Sequence, residues 1–581
     1  GDGAVGEVAG GRGGRGLRHN QNLMRSRAWF DSPEYYSFSR RAWLRSEGFT
    51  AHVFDGRPIV GIANTWSELT NCNSNLRQIA EAVKRGVWMA GGFPLEFPVT
   101  SLAEMLLKPT AMLFRNLLAM DVEEMIRANP LDAVVLLSGC DKTTPAMLMG
   151  AASADVPAIL LTSGPMLAGD WHGRKLGAGT DGRKLFDQFR AGELSCEAMN
   201  EIECGLARSA GHCTVMGTAS TMGVLAEAMG MSLPGAAAIP GPDSRRLMMA
   251  EETGRRAVAM AQEDLRPSKI LTRSAFENAV TVQMAIAGST NAIVHLLAIA
   301  GRCDVPLSLD DFDRVSRRTP WLVDLKPSGR YLMEDLHAAG GVPAVLRELM
   351  PLLEGEALTV TGKTVAENVR EAVCHSREVI RSLAEPLHAE GGTAVLYGNL
   401  APSGAVIKPT AATPELLQHR GRAYVFANRE QMIHALEDEA LPVEATDVLV
   451  LQNAGPKGAP GMPEWGHIPL PKKLLKQGVK DMVRISDARM SGTSFGTVVL
   501  HMAPESAVGG PLGLVRTGDE IELDVAGRRI EVRISEEEMA KRRAEWTPPK
   551  AHYTRGYGKL FLDHVEQAHL GCDFDFLKSR S

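Results

Sequence analysis

Three cysteines in this chain stand in unusual loop contexts. Cys72 lies between two asparagines, Cys140 follows a glycine and precedes an aspartate, and Cys213 follows Gly-His. Each follows or adjoins an apolar run that is typical of a buried strand, and loops at the carboxyl ends of strands build the sites of open α/β sheets. Three thiolates that meet there are suited to hold an iron–sulfur cluster with one iron open to a substrate oxygen. A lone cysteine is more often a small buried hydrophobe. We interpret the other five cysteines as such small buried hydrophobes, namely Cys196, Cys204, Cys303, Cys374 and Cys572.

A carboxylate directly beside one of these cysteines indicates a second site. Asp141 follows Cys140, and packing explains it poorly because charges are seldom buried unless they are paired or bound to a metal. Its oxygens would suit Mg²⁺. Glu104 and Glu464 are candidates to complete such a site, although on sequence alone each is more often a solvated surface residue.

The segment 489–496 contains two serines and a threonine among glycines. Hydroxyls and free backbone N–H groups in such a loop favour anion binding. Ser494 also fits the Gly-x-Ser-x-Gly pattern of serine hydrolases, which requires a strand directly before it and a helix directly after it. Here the apolar strand ends several residues earlier and no apolar helix clearly follows, so a turn without chemistry is favoured over a hydrolase.

The sequence around these residues predicts two parts of the chain that differ in secondary structure. Apolar runs typical of buried strands alternate with amphipathic segments typical of helices, which predicts an α/β fold with a parallel sheet. The strands are predicted at 58–63, 133–137 and 157–161, and helices at 75–89, 111–128, 144–154, 218–229 and 291–301. Beyond residue 385 short strands and Gly- and Pro-rich loops predict a smaller β-rich domain that favours a barrel. Its strands are predicted at 393–397, 423–426, 447–451 and 482–485, with a hairpin at 520–534.

Composition describes an ordinary globular protein. With 581 residues, 44% hydrophobic and 23% charged, the chain is too long for one core. We predict a flexible tail at 1–21, an N-terminal domain at 22–384 and a C-terminal domain at 385–581. The formal charge of −6 argues against nucleic acid or an anionic membrane as partner. Eight cysteines make no disulfide scaffold, so a reducing cytoplasm is expected.

Six segments, in this order along the chain, resemble the iron–sulfur dehydratases that include dihydroxy-acid, phosphogluconate, arabinonate and xylonate dehydratases. They are Cys72-Asn73, Gly139-Cys140-Asp141-Lys142, Cys213 with 216–222, 288–292, 461–464 and 486–492. The resemblance implies an N-terminal α/β domain that holds the cluster and a C-terminal β-barrel domain that closes over it and carries a catalytic serine.

The resemblance also implies roles for single residues. Cys72, Cys140 and Cys213 would hold a [2Fe–2S] cluster, and Glu104, Asp141 and Glu464 would bind Mg²⁺. Lys142 matches a lysine that is often carbamylated and then binds Mg²⁺ as well. Ser491 matches the base that takes the C2 proton, and Thr493 its neighbour near the substrate carboxylate.

The expected activity is that of a hydro-lyase that converts a sugar acid, or a similar 2,3-dihydroxy carboxylate, to its 2-keto-3-deoxy product. The segment 213–219 favours the sugar-acid branch over dihydroxy-acid dehydratase of branched-chain amino-acid synthesis, which stays open as an alternative. A serine hydrolase using Ser494 and a non-enzymatic iron–sulfur sensor or electron carrier are further alternatives. A homodimer or homotetramer is expected from the resemblance.

Overall fold

The computed structural model describes residues 24–578, so the flexible tail predicted at 1–21 lies outside the described residues. Four parallel strands form the N-terminal sheet in the order β2-β1-β3-β4. They are β1 (Ile59–Asn64), β2 (Phe93–Pro98), β3 (Ala133–Ser138) and β4 (Ala158–Thr162). The predicted strands are confirmed, and β2 is the strand that the sequence did not indicate. Two prolines interrupt its pattern, which an edge strand tolerates because one side of it forms no ladder.

Helices cover this sheet and fill the rest of the N-terminal part. All five predicted helices are present, although the one predicted at 111–128 begins with a 3₁₀ turn at Ala111–Phe114. The helices before residue 380 are Arg27–Phe30, Tyr35–Ser46, Leu76–Met89, Arg115–Ala128, Thr143–Ala154, Thr180–Ala191, Cys196–Leu206, Thr218–Ala228, Ser244–Glu263, Pro267–Ile270, Arg273–Ala285, Asn291–Arg302, Leu309–Arg318, Met333–Ala338, Gly341–Leu349 and Val365–Val369. A small antiparallel hairpin, β5 (Gly169–Trp171) with β6 (Arg174–Leu176), lies among them.

Eight strands of the C-terminal part close into a barrel in the order β10-β11-β12-β8-β7-β14-β13-β9. They are β7 (Ala394–Gly398), β8 (Ala401–Ile407), β9 (Gln418–Phe426), β10 (Val448–Leu451), β11 (Arg484–Ser486), β12 (Val498–Leu500), β13 (Glu520–Asp524) and β14 (Arg529–Val532). The predicted barrel is confirmed. The later helices are Arg429–Glu437, Lys472–Lys476, Glu536–Glu545 and Gly556–His564.

The barrel has an apolar interior and a second apolar face on its outside. Alternate residues such as Ala405 and Ile407 of β8 face inward and form the barrel core. Their neighbour Val406, with Val395 and Val498 of the adjacent strands, belongs instead to the large core of the N-terminal part. Because side chains alternate across a strand, one outer face of the barrel packs directly against the α/β half.

The last segment of the chain returns to the N-terminal half. Asp573 and Arg302 form a fully buried ion pair with Nε–Oδ2 at 2.6 Å, and the buried Arg115 donates to the carbonyl oxygens of Gly571 and Cys572, each at 2.9 Å. This segment therefore ties the two halves together. Within 24–578 the helices are too short or too polar to cross a membrane.

Candidate active site

The carboxyl edge of the N-terminal sheet gathers the residues that the sequence singled out. The loop after β1 carries Cys72, the loop after β2 carries Glu104, and β3 leads directly into Cys140. The segment before Cys213 joins the loop after β4 through reciprocal backbone hydrogen bonds between His212 and residues 164–166. Parallel strands end at one edge of a sheet, so four separate loops meet there.

Close backbone approach at Gly139 draws two of these loops together. A side chain at this position would place its Cβ 2.2 Å from Ser163 Oγ and 2.3 Å from the Cys72 carbonyl oxygen. Asn73 fixes the same loop from the other side, because its Nδ2 donates to the Thr65 carbonyl at 2.9 Å. Only glycine fits at residue 139, directly before Cys140.

The three cysteine thiols lie close enough to influence one another. A hydrogen bond with Cys140, together with burial and the charges of Cys140 and Cys213, raises the pKa of Cys72 well above its usual range. Burial, with Asp141 and Cys140 nearby, raises the pKa of Cys213 to about 12. All eight cysteines are free thiols. A donor set of sulfur alone suits iron–sulfur clusters, and a bound metal favours the thiolate form of its cysteine ligands. The residues present therefore fit such a group.

Three carboxylates form a second cluster beside the thiols. One oxygen from each of Glu104, Asp141 and Glu464 lies within 4.8 Å of the others. Cys140 Sγ is 3.4 Å from Asp141 Oδ1, so the carboxylate cluster is in direct contact with the thiols. Glu464 comes from the C-terminal part of the chain, which makes the cluster an interface between the two halves. Oxygen ligands in this number suit Mg²⁺, and these side chains fit it.

Two buried cations balance the three carboxylates. The Lys142 ammonium contacts Asp141 and lies 2.9 Å from Glu104 Oε2 and 3.2 Å from Glu464 Oε1. Arg489 Nη1 donates to the same Glu464 oxygen at 3.1 Å. Desolvation opposes ionisation of Glu104, but Lys142 and Arg489 outweigh it and lower the pKa of Glu104 to about 2. Desolvation is likewise outweighed at Lys142, whose pKa the three carboxylates raise.

A single amide group joins this cluster to the loop of hydroxyl residues. Asn291 Nδ2 donates to Glu464 Oε1 at 2.9 Å, to the Met490 carbonyl at 3.0 Å and to Thr218 Oγ1 at 3.1 Å. Asn291 is the first residue of the helix Asn291–Arg302. The position of a candidate metal ligand is thus coupled to the residue that precedes Ser491.

Ser491 lies in a tight turn packed against the N-terminal half. Its Oγ is 3.0 Å from Thr493 Oγ1 and accepts from the Thr493 backbone N–H at 3.4 Å. Thr180 Oγ1 donates to the Thr493 carbonyl at 2.7 Å. Ser491 stays partly exposed, whereas Thr493 is buried. The turn therefore presents one hydroxyl with two potential donors aimed at it.

Ser494 lacks the surroundings of a hydrolase nucleophile. Its side chain is fully buried, and its hydroxyl has no hydrogen-bond partner among the described residues. A serine nucleophile needs a base within hydrogen-bond reach. The hydrolase alternative thus has no geometric support.

Three residues of the site were not given roles from the sequence. Asn291 and Arg489 lie in segments on which the family resemblance rests, so the resemblance was the sequence feature that could have marked them as site residues. Thr110 Oγ1 donates to Glu104 Oε1 at 2.7 Å and accepts from Arg489 Nη2 at 3.3 Å. No local pattern marks Thr110, because its role depends on a contact with a residue 379 positions later.

The fold and the site together describe an enzyme of two parts. The three thiols lie beside the three carboxylates, and Asn291 links the carboxylates to the turn that carries Ser491. Residues 57–368 match the N-terminal family of dihydroxy-acid/6-phosphogluconate dehydratases, and residues 378–572 match the corresponding C-terminal family. The chain belongs to this family of dehydratases, and it is a hydro-lyase.

Relatives with several substrates align over nearly the whole chain. L-arabonate dehydratase of Azospirillum brasilense is 56% identical, covering 95% of this chain and 97% of that protein. 6-Deoxy-6-sulfo-D-gluconate dehydratase of Pseudomonas putida is 49% identical, covering 96% of each. Dihydroxy-acid dehydratase of Ignicoccus hospitalis is 40% identical, covering 92% of this chain and 97% of that protein.

Proposed function

We propose that this enzyme dehydrates a sugar acid to the 2-keto-3-deoxy acid. The observation that carries the proposal is the Asn291 amide, which holds Glu464 and the Ser491 turn in one arrangement. Candidate ligands for a cation that binds the substrate's carboxylate end thereby face a candidate proton acceptor. The higher identity to the sugar-acid relatives than to the dihydroxy-acid relative supports this substrate class.

Two groups of residues would hold the cofactors. Cys72, Cys140 and Cys213 would hold a [2Fe–2S] cluster; Glu104, Asp141 and Glu464 would hold Mg²⁺. When bound, these groups supply the Lewis acidity that helps hydroxide to leave C3 and stabilises negative charge near C2. Lys142 and Arg489 keep the carboxylates ionised and in place. Lys142 is also a candidate for carbamylation, which would replace its ammonium with an anionic carbamate that binds Mg²⁺ beside the carboxylates instead of balancing their charge.

In this proposal Ser491 is the residue that accepts the proton from the substrate. Its hydroxyl, as an alkoxide, would take the proton from C2. A serine is normally too weak a base, but the Thr493 N–H donates to Ser491 Oγ, and the Thr493 hydroxyl lies 3.0 Å from it and could donate to an alkoxide there. Donors already in position stabilise an oxyanion without reorganisation. The partial exposure of Ser491 leaves the oxygen accessible to substrate.

A substrate panel tests the proposed function directly. The reconstituted enzyme is assayed with L-arabinonate, D-gluconate and 2,3-dihydroxyisovalerate, and the 2-keto product is measured. Turnover of one or more of the sugar acids is expected, together with visible absorption from the cluster. Exclusive turnover of 2,3-dihydroxyisovalerate would assign the chain to the branched-chain branch. Absence of iron and sulfide from protein prepared without air would refute the cluster.

Paired serine variants test the base. Ser491→Ala should lower kcat by 10²–10⁴-fold, which is typical of losing a general base, and should leave the visible absorption intact. Ser494→Ala is the matched control because its hydroxyl is buried and without a partner, and it should retain most activity. An inactive Ser494→Ala beside an active Ser491→Ala would contradict the assignment.

The family resemblance also supports a homodimer or homotetramer, which we include in the proposal. Light scattering should give a multiple of the 62.6 kDa chain mass. A particle of the monomer mass would contradict it.

A further inference from the structure

The helix Tyr35–Ser46 carries its aromatic side chains on its outer face. Four of them, which we call the aromatic stripe, are between 62% and 73% exposed: Tyr35, Tyr36, Phe38 and Trp43. Within 24–578 seven Phe, Tyr and Trp side chains are exposed, and four of the seven belong to this one helix. Burial of such rings stabilises a protein. The helix therefore offers apolar surface to a partner.

The opposite face of this helix is the one that packs on its own subunit. Ser37 is buried, and Leu44 packs against the large core of the N-terminal part. At 3.6 residues per turn, these two residues lie on one side of the helix and the stripe lies on the other. Arg41 fixes the helix further by donating to the Phe30 carbonyl. The stripe is thus not needed to hold the helix in place.

The rings of the stripe form one continuous surface. The Tyr35 ring centroid lies 5.9 Å from that of Tyr36 and 6.3 Å from that of Phe38. Trp43 follows Tyr36 by two helical turns on the same side. At roughly 200 Å² for a whole aromatic side chain, the exposed parts amount to about 550 Å² per chain. Monomeric proteins rarely expose a larger contiguous apolar patch, and patches of this size mark interaction sites.

A second copy of the chain is the occupant that fits this surface. Residues 1–23 precede the helix in sequence but contain no Phe, Tyr, Trp, Ile or Met, so they offer little apolar surface to cover the stripe. Two paired stripes would bury about 1,100 Å² before flanking residues are counted, close to the roughly 1,200 Å² at which specific interfaces begin. Two identical patches can pair about a twofold axis, the commonest symmetry of oligomers.

The charges at the two ends of the helix fit an antiparallel pair. Glu34 precedes the first turn and Arg45 lies in the last turn. They are three helical turns apart, so both flank the same edge of the stripe. The Arg45 guanidinium lies 5.9 Å from the Phe54 ring centroid, and neither charge has an ion-pair partner within 24–578. A twofold axis through the middle of the stripe brings Glu34 of each copy to Arg45 of the other.

We propose that the helix Tyr35–Ser46 packs antiparallel on the same helix of a second chain, through the aromatic stripe and two ion pairs between Glu34 and Arg45. The homo-oligomer proposed above rests on the family resemblance and has no surface assigned to it; this inference assigns both a surface and an orientation. Because both copies use the same patch, the contact closes on itself. Its loss should therefore halve the mass of the assembly.

Removal of two rings tests the surface. The full-length reconstituted enzyme carrying Phe38→Ala with Trp43→Ala is compared with the wild type by light scattering across a dilution series. We expect half the wild-type mass and a dissociation constant raised at least about 100-fold, as for loss of two aromatic anchors. Far-UV circular dichroism and visible absorption should not change, because the rings are exposed in the single chain. Phe186→Ala, at an exposed ring of the helix Thr180–Ala191, should keep the wild-type mass.

A charge exchange tests the orientation, and it also covers the case in which the double alanine variant does not fold. Glu34→Arg alone and Arg45→Glu alone each place like charges across both pairs. Each should raise the dissociation constant about tenfold, and less at high salt. The chain with both changes again has opposite charges facing each other, so its constant should return close to the wild-type value.

Two outcomes would overturn the proposal. One is a wild-type mass in the double alanine variant at every dilution, which would leave the stripe to a different occupant. The other is failure of the combined charge exchange to restore the assembly that the single changes weaken. A monomeric wild type would contradict the homo-oligomer as well. Turnover of the sugar acids tests the proposed reaction separately, since it does not depend on these variants.

Discussion

Replacement of Arg489 by methionine should make the stability of this enzyme depend strongly on Mg²⁺. Arg489 is fully buried and is one of two cations that balance Glu104, Asp141 and Glu464. Without it, three carboxylates face Lys142 alone. A bound Mg²⁺ would then replace the missing charge.

The contacts of Arg489 set the size of the effect. At 3.1 Å from Glu464 Oε1, its attraction to that carboxylate is about 5 kcal/mol at an effective dielectric constant of 20. Removing one partner of a buried pair destabilises a protein by about 3–5 kcal/mol. Glu464 keeps Lys142 at 3.2 Å and Asn291 at 2.9 Å, so we expect the lower end, about 3 kcal/mol, in EDTA.

Unfolding followed in EDTA and in saturating Mg²⁺ measures this effect. Mg²⁺ should raise the unfolding temperature of Arg489→Met by more than that of the wild type, because a cation that binds only the folded state stabilises it. The matched control is Arg115→Met. Arg115 is equally buried, but its hydrogen bonds go to Asn116, His295 and two carbonyls. It should lose stability without a Mg²⁺-dependent recovery. Equal Mg²⁺ responses in wild type and Arg489→Met would refute the assigned charge balance.

Three further outcomes are expected. Cys140→Ser should abolish the visible absorption of the reconstituted protein, while Cys204→Ser, at an exposed cysteine, should retain it. Burial raises the pKa of Glu227 from 4.5 to about 7, so its contribution to stability is complete below pH 4.5 and is lost as pH rises to 7. Glu227→Gln should flatten that decline, by about 3 kcal/mol, in urea unfolding measured across this range. Asp573→Ala should cost about 3 kcal/mol, because it leaves the buried Arg302 without its main partner, and calorimetry would detect the loss.

Local pattern in the sequence was sufficient for much of the fold. Strands β1, β3 and β4 are continuous apolar runs because helices cover both faces of a parallel sheet, and they were predicted within a residue or two. Strands β8 and β12 were not predicted. β8 contains a proline and a glycine, and β12 is three residues long, so only their pairing in the barrel defines them.

The candidate site divides in the same way. Cysteines in loops beside Gly or Asn, and a carboxylate next to Cys140, are visible in the sequence because each is a neighbour along the chain. Glu104 and Glu464 were candidates to complete that site, and the family resemblance gave them the role of Mg²⁺ ligands and Ser491 the role of base; these roles stay predictions.

The tertiary structure alone decided which residues surround them. Glu464 meets Lys142 across 322 positions, and Arg489 meets Thr110 across 379. From the sequence alone Lys408 is an ordinary polar residue, yet in the fold it directly follows β8 and is only 2% exposed. Burial and pairing are set by how the two halves pack, and no local pattern encodes contacts between segments that far apart.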